Sequence, residues 1–229
     1  MNIHIGNQLG YYFDYLQGLP DRIIYKVKNN VILPTNSEMF EKVYELYPEF
    51  LPSKDKLLVD VGAQYADYSI LANKKYGARV VAFEPLSENY NKAMELITKN
   101  KADINLYQTA LSDDTYIETI HYNGDMLFVD KNGIKSQQIK FITLDSLYLE
   151  PDILKIDVEG YEMHVLRGAI DTIREYHPRI IIETHSAQLE GQVRNFLKRN
   201  HYCEPKEGSR SNGNNWMNTV VNLFFMPEK

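Results

Sequence analysis

Five short runs of β-branched and apolar residues recur from Leu57 onward: Leu57–Val61, Arg79–Glu84, Ile104–Thr109, Ile153–Asp157 and Arg179–Thr184. Runs of this kind without strict alternation are the signature of strands covered on both faces. Between and after them lie helical stretches, Asp67–Tyr76, Glu88–Lys101 behind a Ser87 cap, Gly160–Glu175 and Ala187–Arg199. The third of these carries Tyr161, Val165, Ala169 and Ile173 on one face. Such alternation predicts an α/β protein built on a doubly wound, mostly parallel sheet.

Two stretches depart from the alternation. Tyr116–Thr143 alternates well and is punctuated by Asn123-Gly124-Asp125 and Asp130-Lys131-Asn132-Gly133, so a β-hairpin insertion is expected where a helix would otherwise stand. The tail, with His201–Glu204, a polar Gly/Ser/Asn loop over 207–218 and Thr219–Met226, reads as a closing hairpin that supplies an antiparallel C-terminal strand. A long polar loop between strands is a candidate lid, and this one holds the sole tryptophan, Trp216. Residues 1–54 read as a small N-terminal extension packed on a domain spanning 55–229. The extension holds an aromatic cluster (Tyr11, Tyr12, Phe13, Tyr15), a hairpin of Ile23–Lys28 and Val31–Pro34 turning at Asn29-Asn30, and a helix capped by Asn36 with Phe40, Val43, Tyr44 and Tyr47 on one stripe.

At 229 residues, one folded domain is the default. Hydrophobic residues at 44% and charged residues at 24% exclude a disordered or fibrous chain. No apolar run approaches the ~18–20 residues that cross a bilayer, and Met1–Gly18 lacks the basic and apolar regions of a secretory signal. The single cysteine, Cys203, excludes an internal disulfide and a cysteine zinc cage, fits a cytoplasmic location, and reads as a buried small hydrophobe. With a net charge of −6 and basic clusters no longer than pairs such as Lys74-Lys75, nucleic acid is not the expected partner.

In open α/β sheets ligands bind at the carboxyl ends of the strands. Those ends are acidic: Val59-Asp60-Val61-Gly62-Ala63-Gln64, Phe83-Glu84-Pro85 and Lys155-Ile156-Asp157-Val158-Glu159-Gly160. A glycine turn after the first strand and a carboxylate, Glu84, ending the second fit an adenosine ligand, with Glu84 accepting from ribose hydroxyls. A pyrophosphate needs bare backbone N–H groups and close approach. The turn offers Gly62 alone, with Gln64 and Ala66 where further glycines belong, so NAD is disfavoured. S-adenosylmethionine carries a sulfonium and an ammonium, which Asp60 and Asp157 would stabilise.

The segments Leu58–Gln64, Ala82-Phe83-Glu84-Pro85, Ala110-Leu111-Ser112-Asp113, Ile153–Glu162 and Leu166-Arg167-Gly168-Ala169 resemble, in that order, the FkbM-type class I S-adenosylmethionine-dependent methyltransferases, whose fold is Rossmann-like. The resemblance covers about 57–184. It implies O-methylation of a hydroxyl on a sugar, glycan or natural product. It also implies that Asp60, Gly62, Ala63, Gln64 and Tyr65 hold the methionine part, Glu84 beside Pro85 the ribose, Leu111 and Ser112 the adenine, and that residues 157–162 flank the methyl group. The family's first loop usually has Asn at the position of Gln64 and Gly at that of Ala66; a positive φ at Ala66 would cost on the order of 1 kcal/mol.

Transfer to a hydroxyl calls for alignment and for a base, with Asp157, Glu159 and His185 as candidates. Alternatively, Asp157 and Glu159 share a magnesium ion that binds a diol. Blander roles stand beside these: Asp157 as a helix cap, Glu84 as a strand end, His185 as a structural histidine. The expected partner is a small-molecule or glycan acceptor, and a homo-oligomer is compatible with the sequence. The rival functions are a nicotinamide-dependent oxidoreductase and a catalytically silent S-adenosylmethionine-binding protein. A DNA or RNA amino-methyltransferase would show an Asn/Asp-Pro-Pro-aromatic tetrapeptide where this chain has Asp157-Val158-Glu159-Gly160.

Overall fold

A computed structural model describes residues 25–28, 31–34, 43–123, 133–212 and 219–228. Strands β1 (Tyr25–Lys28) and β2 (Val31–Pro34) pair antiparallel with Lys28 opposite Val31, the hairpin expected around Asn29-Asn30. The aromatic cluster at 11–15 and the helix behind Asn36 lie outside the described residues, save that Val43 and Tyr44 are helical. A 3₁₀ turn at Pro48–Phe50 leads into β3 (Leu57–Val61), α1 (Asp67–Tyr76), β4 (Arg79–Phe83), α2 (Ser87–Asn100) and β5 (Ile104–Tyr107). Then follow β6 (Ala110–Leu111), β7 (Tyr116–Tyr122), β8 (Lys135–Ile142), β9 (Ile153–Ile156), α3 (Glu162–Arg167), α4 (Ile170–Tyr176), β10 (Arg179–Thr184), α5 (Ala187–Arg199), β11 (Lys206–Asn212) and β12 (Thr219–Phe225).

The main sheet has the order β11-β12-β10-β9-β3-β4-β5. The strands from β5 to β10 run parallel, and β12 lies antiparallel between β10 and β11. From β3 the chain winds outward through β4 and β5, then returns to β9 on the other side. That reversal opens a crevice beyond the carboxyl ends of β3 and β9. β6, β7 and β8 form a separate three-stranded sheet in place of a helix between β5 and β9, as the alternation of 116–143 predicts.

Alternate residues of each strand face opposite layers. Val59, Val61, Leu154, Ile156, Ile180 and Ile182 pack with Val165, Leu166, Ile173, Val193 and Leu197 of α3, α4 and α5. Leu58, Ile153, Ile181 and Phe224 face the other layer, where Tyr68 and Leu71 of α1 and, from the N-terminal segment, Tyr44 and Phe50 cover them. The Phe50 ring stands edge-on to Phe224 at 5.2 Å. On this second face the strands turn ionisable at their carboxyl ends, giving Asp60 after Leu58, Lys155 after Ile153 and Glu183 after Ile181.

Several expectations need correction. The helix over Gly160–Glu175 is two helices broken at Gly168-Ala169, because Gly168 is pressed against the Ser112 carbonyl; an added Cβ would lie 1.9 Å from that oxygen. Ser87 does not cap α2. The Glu84 carboxylate takes the Leu86 N–H at 2.9 Å, while the Ser87 hydroxyl accepts from Gln108. The first half of the supposed loop at 207–218 is strand β11, drawn into the sheet by antiparallel pairing with β12; residues 213–218, with Trp216, lie outside the described residues. Cys203 is exposed, not buried: its N–H binds Met226 O beyond the end of α5, where the sheet no longer covers its side chain. Among the described residues no helix is long and apolar enough to cross a membrane.

Candidate active site

A cavity opens over the carboxyl ends of β3, β4 and β9, apolar at one end and acidic at the other. Phe83, Pro85, Leu111 and Phe141 wall the apolar end; Asp60, Asp157, Glu159 and Glu183 border the acidic end. The loop after β3 forms the floor. Gly62 and Ala63 both donate their N–H groups to Phe83 O at 3.0 Å, and Gly62 has φ +79°. A Cβ on Gly62 would sit 1.8 Å from the Asp157 carbonyl oxygen, so the approach of the two strand-end loops requires glycine. Gln64 and Ala66 adopt φ of 49° and 60°, so both departures from the family's loop are accommodated in the left-handed region at about 1 kcal/mol each.

Glu84 stands between loop and helix. Its Oε2 accepts from Gln64 N–H at 2.9 Å, and its Oε1 from Leu86 N–H at 2.9 Å and Asn89 Nδ2 at 3.3 Å. Burial outweighs these bonds and raises its pKa to about 7.

The acidic end is organised by a lysine. Register places Lys155 beside Asp60 on neighbouring strands, and its Nζ lies 3.0 Å from Asp60 Oδ1, 2.9 Å from Gly62 O and 3.9 Å from Asp157 Oδ2. Lys155 is 4% exposed and Asp60 fully buried. Burial pushes the ammonium's pKa down, but Asp60 and Asp157 outweigh this and raise it. Ser69 donates to Asp60 Oδ2 at 2.6 Å. Tyr44 donates to Asp157 Oδ2 at 2.8 Å, and its ring lies under the lysine, 5.4 Å from Nζ to centroid. Burial, then Asp157, raises the Tyr44 pKa, so the phenol remains a donor.

Behind this wall His185 meets four carboxylates. Its Nδ1 is 2.7 Å from Glu162 Oε1, and its Nε2 is 3.3 Å from Glu159, 3.6 Å from Glu183 and 3.8 Å from Asp157. Burial opposes the imidazolium, but the Glu162 hydrogen bond and the charges of Glu159 and Asp157 raise its pKa to about 10. His185 is therefore cationic near neutrality and already holds the proton a base would have to accept. Burial, chiefly, also raises the pKa of Glu159 and of Glu183. Glu159 is held at φ 51°, a left-handed conformation retained beside the cavity.

Of the residues singled out in the sequence, Asp60, Gly62, Ala63, Gln64, Glu84, Pro85, Leu111, Asp157 and Glu159 line the cavity. Three do not. Tyr65 packs with Ala66 and Ile70, the Ser112 hydroxyl turns to Asp113, and His185 lies behind Glu159 and Glu183. Asp157 caps no helix, since α3 begins at Glu162 without a side-chain cap. Tyr44, Asp67, Lys155 and Glu183 also line the cavity and carried no role in the sequence reading. Lys155 had a signal, as a charge inside a strand covered on both faces demands a partner. Donor atoms of Asp157, Glu183 and His185 lie within 4.8 Å of one another, a spacing that three ligands of one metal ion could share. An imidazole among carboxylates suits a transition metal better than magnesium, which prefers oxygen donors.

Residues 60–204 match the methyltransferase FkbM domain. The chain belongs to the FkbM methyltransferase family. Among curated relatives of this FkbM chain is the hexuronic acid methyltransferase AglP of Haloferax volcanii, 26% identical over 148 residues, covering 58% of this chain and 57% of that one. The chain spans between about a fifth and just over half of the length of the curated relatives it matches. The crystal structure of methyltransferase FkbM from Methylobacillus flagellatus superposes with a TM-score of 0.56 at 19% identity, covering 75% of this chain and 44% of that chain. Precorrin-6y C5,15-methyltransferase from Geobacter metallireducens gives 0.52 at 14%, covering 90% and 94%. At these identities the solved structures speak for the shared fold, a Rossmann-like class I methyltransferase sheet.

Proposed function

We propose that the cavity binds S-adenosylmethionine and that the chain methylates a hydroxyl of a sugar, glycan or natural product. The observation that carries this reading is the polarity of the cavity, with an apolar slot and the Glu84 carboxylate at one end and clustered carboxylates at the other. An adenine ring suits the walls of Pro85, Leu111 and Phe141, and ribose hydroxyls suit Glu84. The acidic end complements the sulfonium and ammonium of the methionine part and would repel a pyrophosphate. The likeness to a hexuronic acid methyltransferase supports a sugar acceptor.

When bound, S-adenosylmethionine supplies an electrophilic methyl group, so this chain must align an oxygen and remove its proton. Glu159 takes that proton: burial makes it a stronger base than an ordinary carboxylate. The His185 imidazolium lies 3.3 Å from Glu159 and 3.8 Å from Asp157 and attracts both carboxylates by charge, while Tyr44 holds Asp157 from the other side. Magnesium has no role in this scheme.

The test is a titration with S-adenosylhomocysteine across pH. In the folded free protein Glu84 is ionised above about 7, not above its ordinary 4.5, so its burial costs stability increasingly across that interval. Ribose hydroxyls donate to the ionised form. Affinity should therefore rise with pH through about 7, and Glu84→Gln should bind about 1.5–3 kcal/mol more weakly with a smaller rise. Equal affinity and an equal pH profile in Glu84→Gln would return Glu84 to a purely structural role.

A further inference from the structure

Asp67 is a buried carboxylate of the cavity wall with an acceptor left over. It is the first residue of α1, 5% exposed, and its Oδ1 has no hydrogen-bond partner. Asp60 and Asp157, the acids beside it, already have cationic and hydroxyl partners: Lys155 and Ser69 take Asp60, while Tyr44 and Lys155 hold Asp157. Burial, and then the charge of Asp60, raises the Asp67 pKa to about 7, the response of a carboxylate that lacks a compensating cation. The helix dipole favours a first-turn acid by only about 0.3–1 kcal/mol, which does not offset an unsatisfied buried acceptor.

Resting on the S-adenosylmethionine reading above, we propose that Asp67 receives the α-ammonium group of the cofactor's methionine end. The cofactor presents two cationic centres, and they differ in a way that decides between them. A sulfonium has no N–H to give and cannot satisfy Oδ1, whereas an ammonium carries three donors. Asp67 also follows directly on the loop whose Gln64 N–H is bound by Glu84, so ribose and ammonium would be gripped from the two ends of one short segment.

The experiment is calorimetry on the full chain and on Asp67→Asn, with two probes that share the adenosine and thioether. S-adenosylhomocysteine keeps the amino-acid end; 5′-deoxy-5′-methylthioadenosine lacks it. Asp67→Asn should weaken S-adenosylhomocysteine about 10-fold or more and leave methylthioadenosine unchanged. Its Tm without ligand should equal or exceed that of the parent, since the substitution removes an unsatisfied charge. Unchanged binding of S-adenosylhomocysteine, equal weakening of both probes, or a lowered Tm would each overturn the proposal in favour of a structural Asp67. Failure of the parent chain to bind either probe would instead refute the cofactor reading on which the proposal rests.

Discussion

Replacing Lys155 with Met is expected to lower the free energy of unfolding by about 3–5 kcal/mol, the loss seen when one partner of a buried ion pair is removed. Methionine keeps the length of the stem and the packing against Tyr44, so the charge is the main thing deleted. Asp60 would remain fully buried with Ser69 as its donor, and the Gly62 carbonyl would lose the Lys155 bond. Chemical denaturation followed by circular dichroism reads the effect directly. The exposed pair Lys92–Glu95, 3.1 Å apart on α2, supplies a control, because its removal should change stability by no more than about 0.5 kcal/mol. A loss at Lys155 as small as at Lys92 would mean that the buried Lys155–Asp60 contact does not act as an ion pair.

The second large effect is on turnover. Glu159→Gln keeps shape and backbone conformation but removes the base, so methyl transfer should fall about 100-fold or more. Affinity for S-adenosylhomocysteine should change little. The assay is transfer of labelled methyl from S-adenosylmethionine to a panel of methyl glycosides and hexuronic acids, using whichever acceptor the parent chain modifies. Near-parental rates in Glu159→Gln would move the base to Asp157. His185 is not the next choice, because Glu162 and Glu159 keep its imidazole protonated.

The difference between what was legible in the sequence and what was not follows from range. β3 and β10 have the limits their apolar runs predict, since strands buried on both faces leave an uninterrupted signal. The glycine of the first loop and Glu84 could be placed because strand ends in this architecture converge on one crevice. Tyr44 could not: it meets Asp157 across 113 residues, with no local pattern joining the two. Gly168 looked like any helical glycine until the Ser112 carbonyl was brought against it. His185 looked like a base because a sequence shows the imidazole and not the four acids that surround it in space. Asp67 stood in the sequence only as the start of a helical stretch, and its unpaired oxygen is visible only in the folded cavity wall.

The cavity's charge is the core of the functional account, and one comparison bears on it most directly. Isothermal titration of the full chain with S-adenosylmethionine, S-adenosylhomocysteine and NADH asks whether the crevice accepts an adenosine ligand bearing cations or one bearing a pyrophosphate. Dissociation constants in the micromolar range, about −8 kcal/mol, are expected for the two sulfur ligands, with no measurable binding of NADH. Binding of NADH more tightly than either would contradict this expectation.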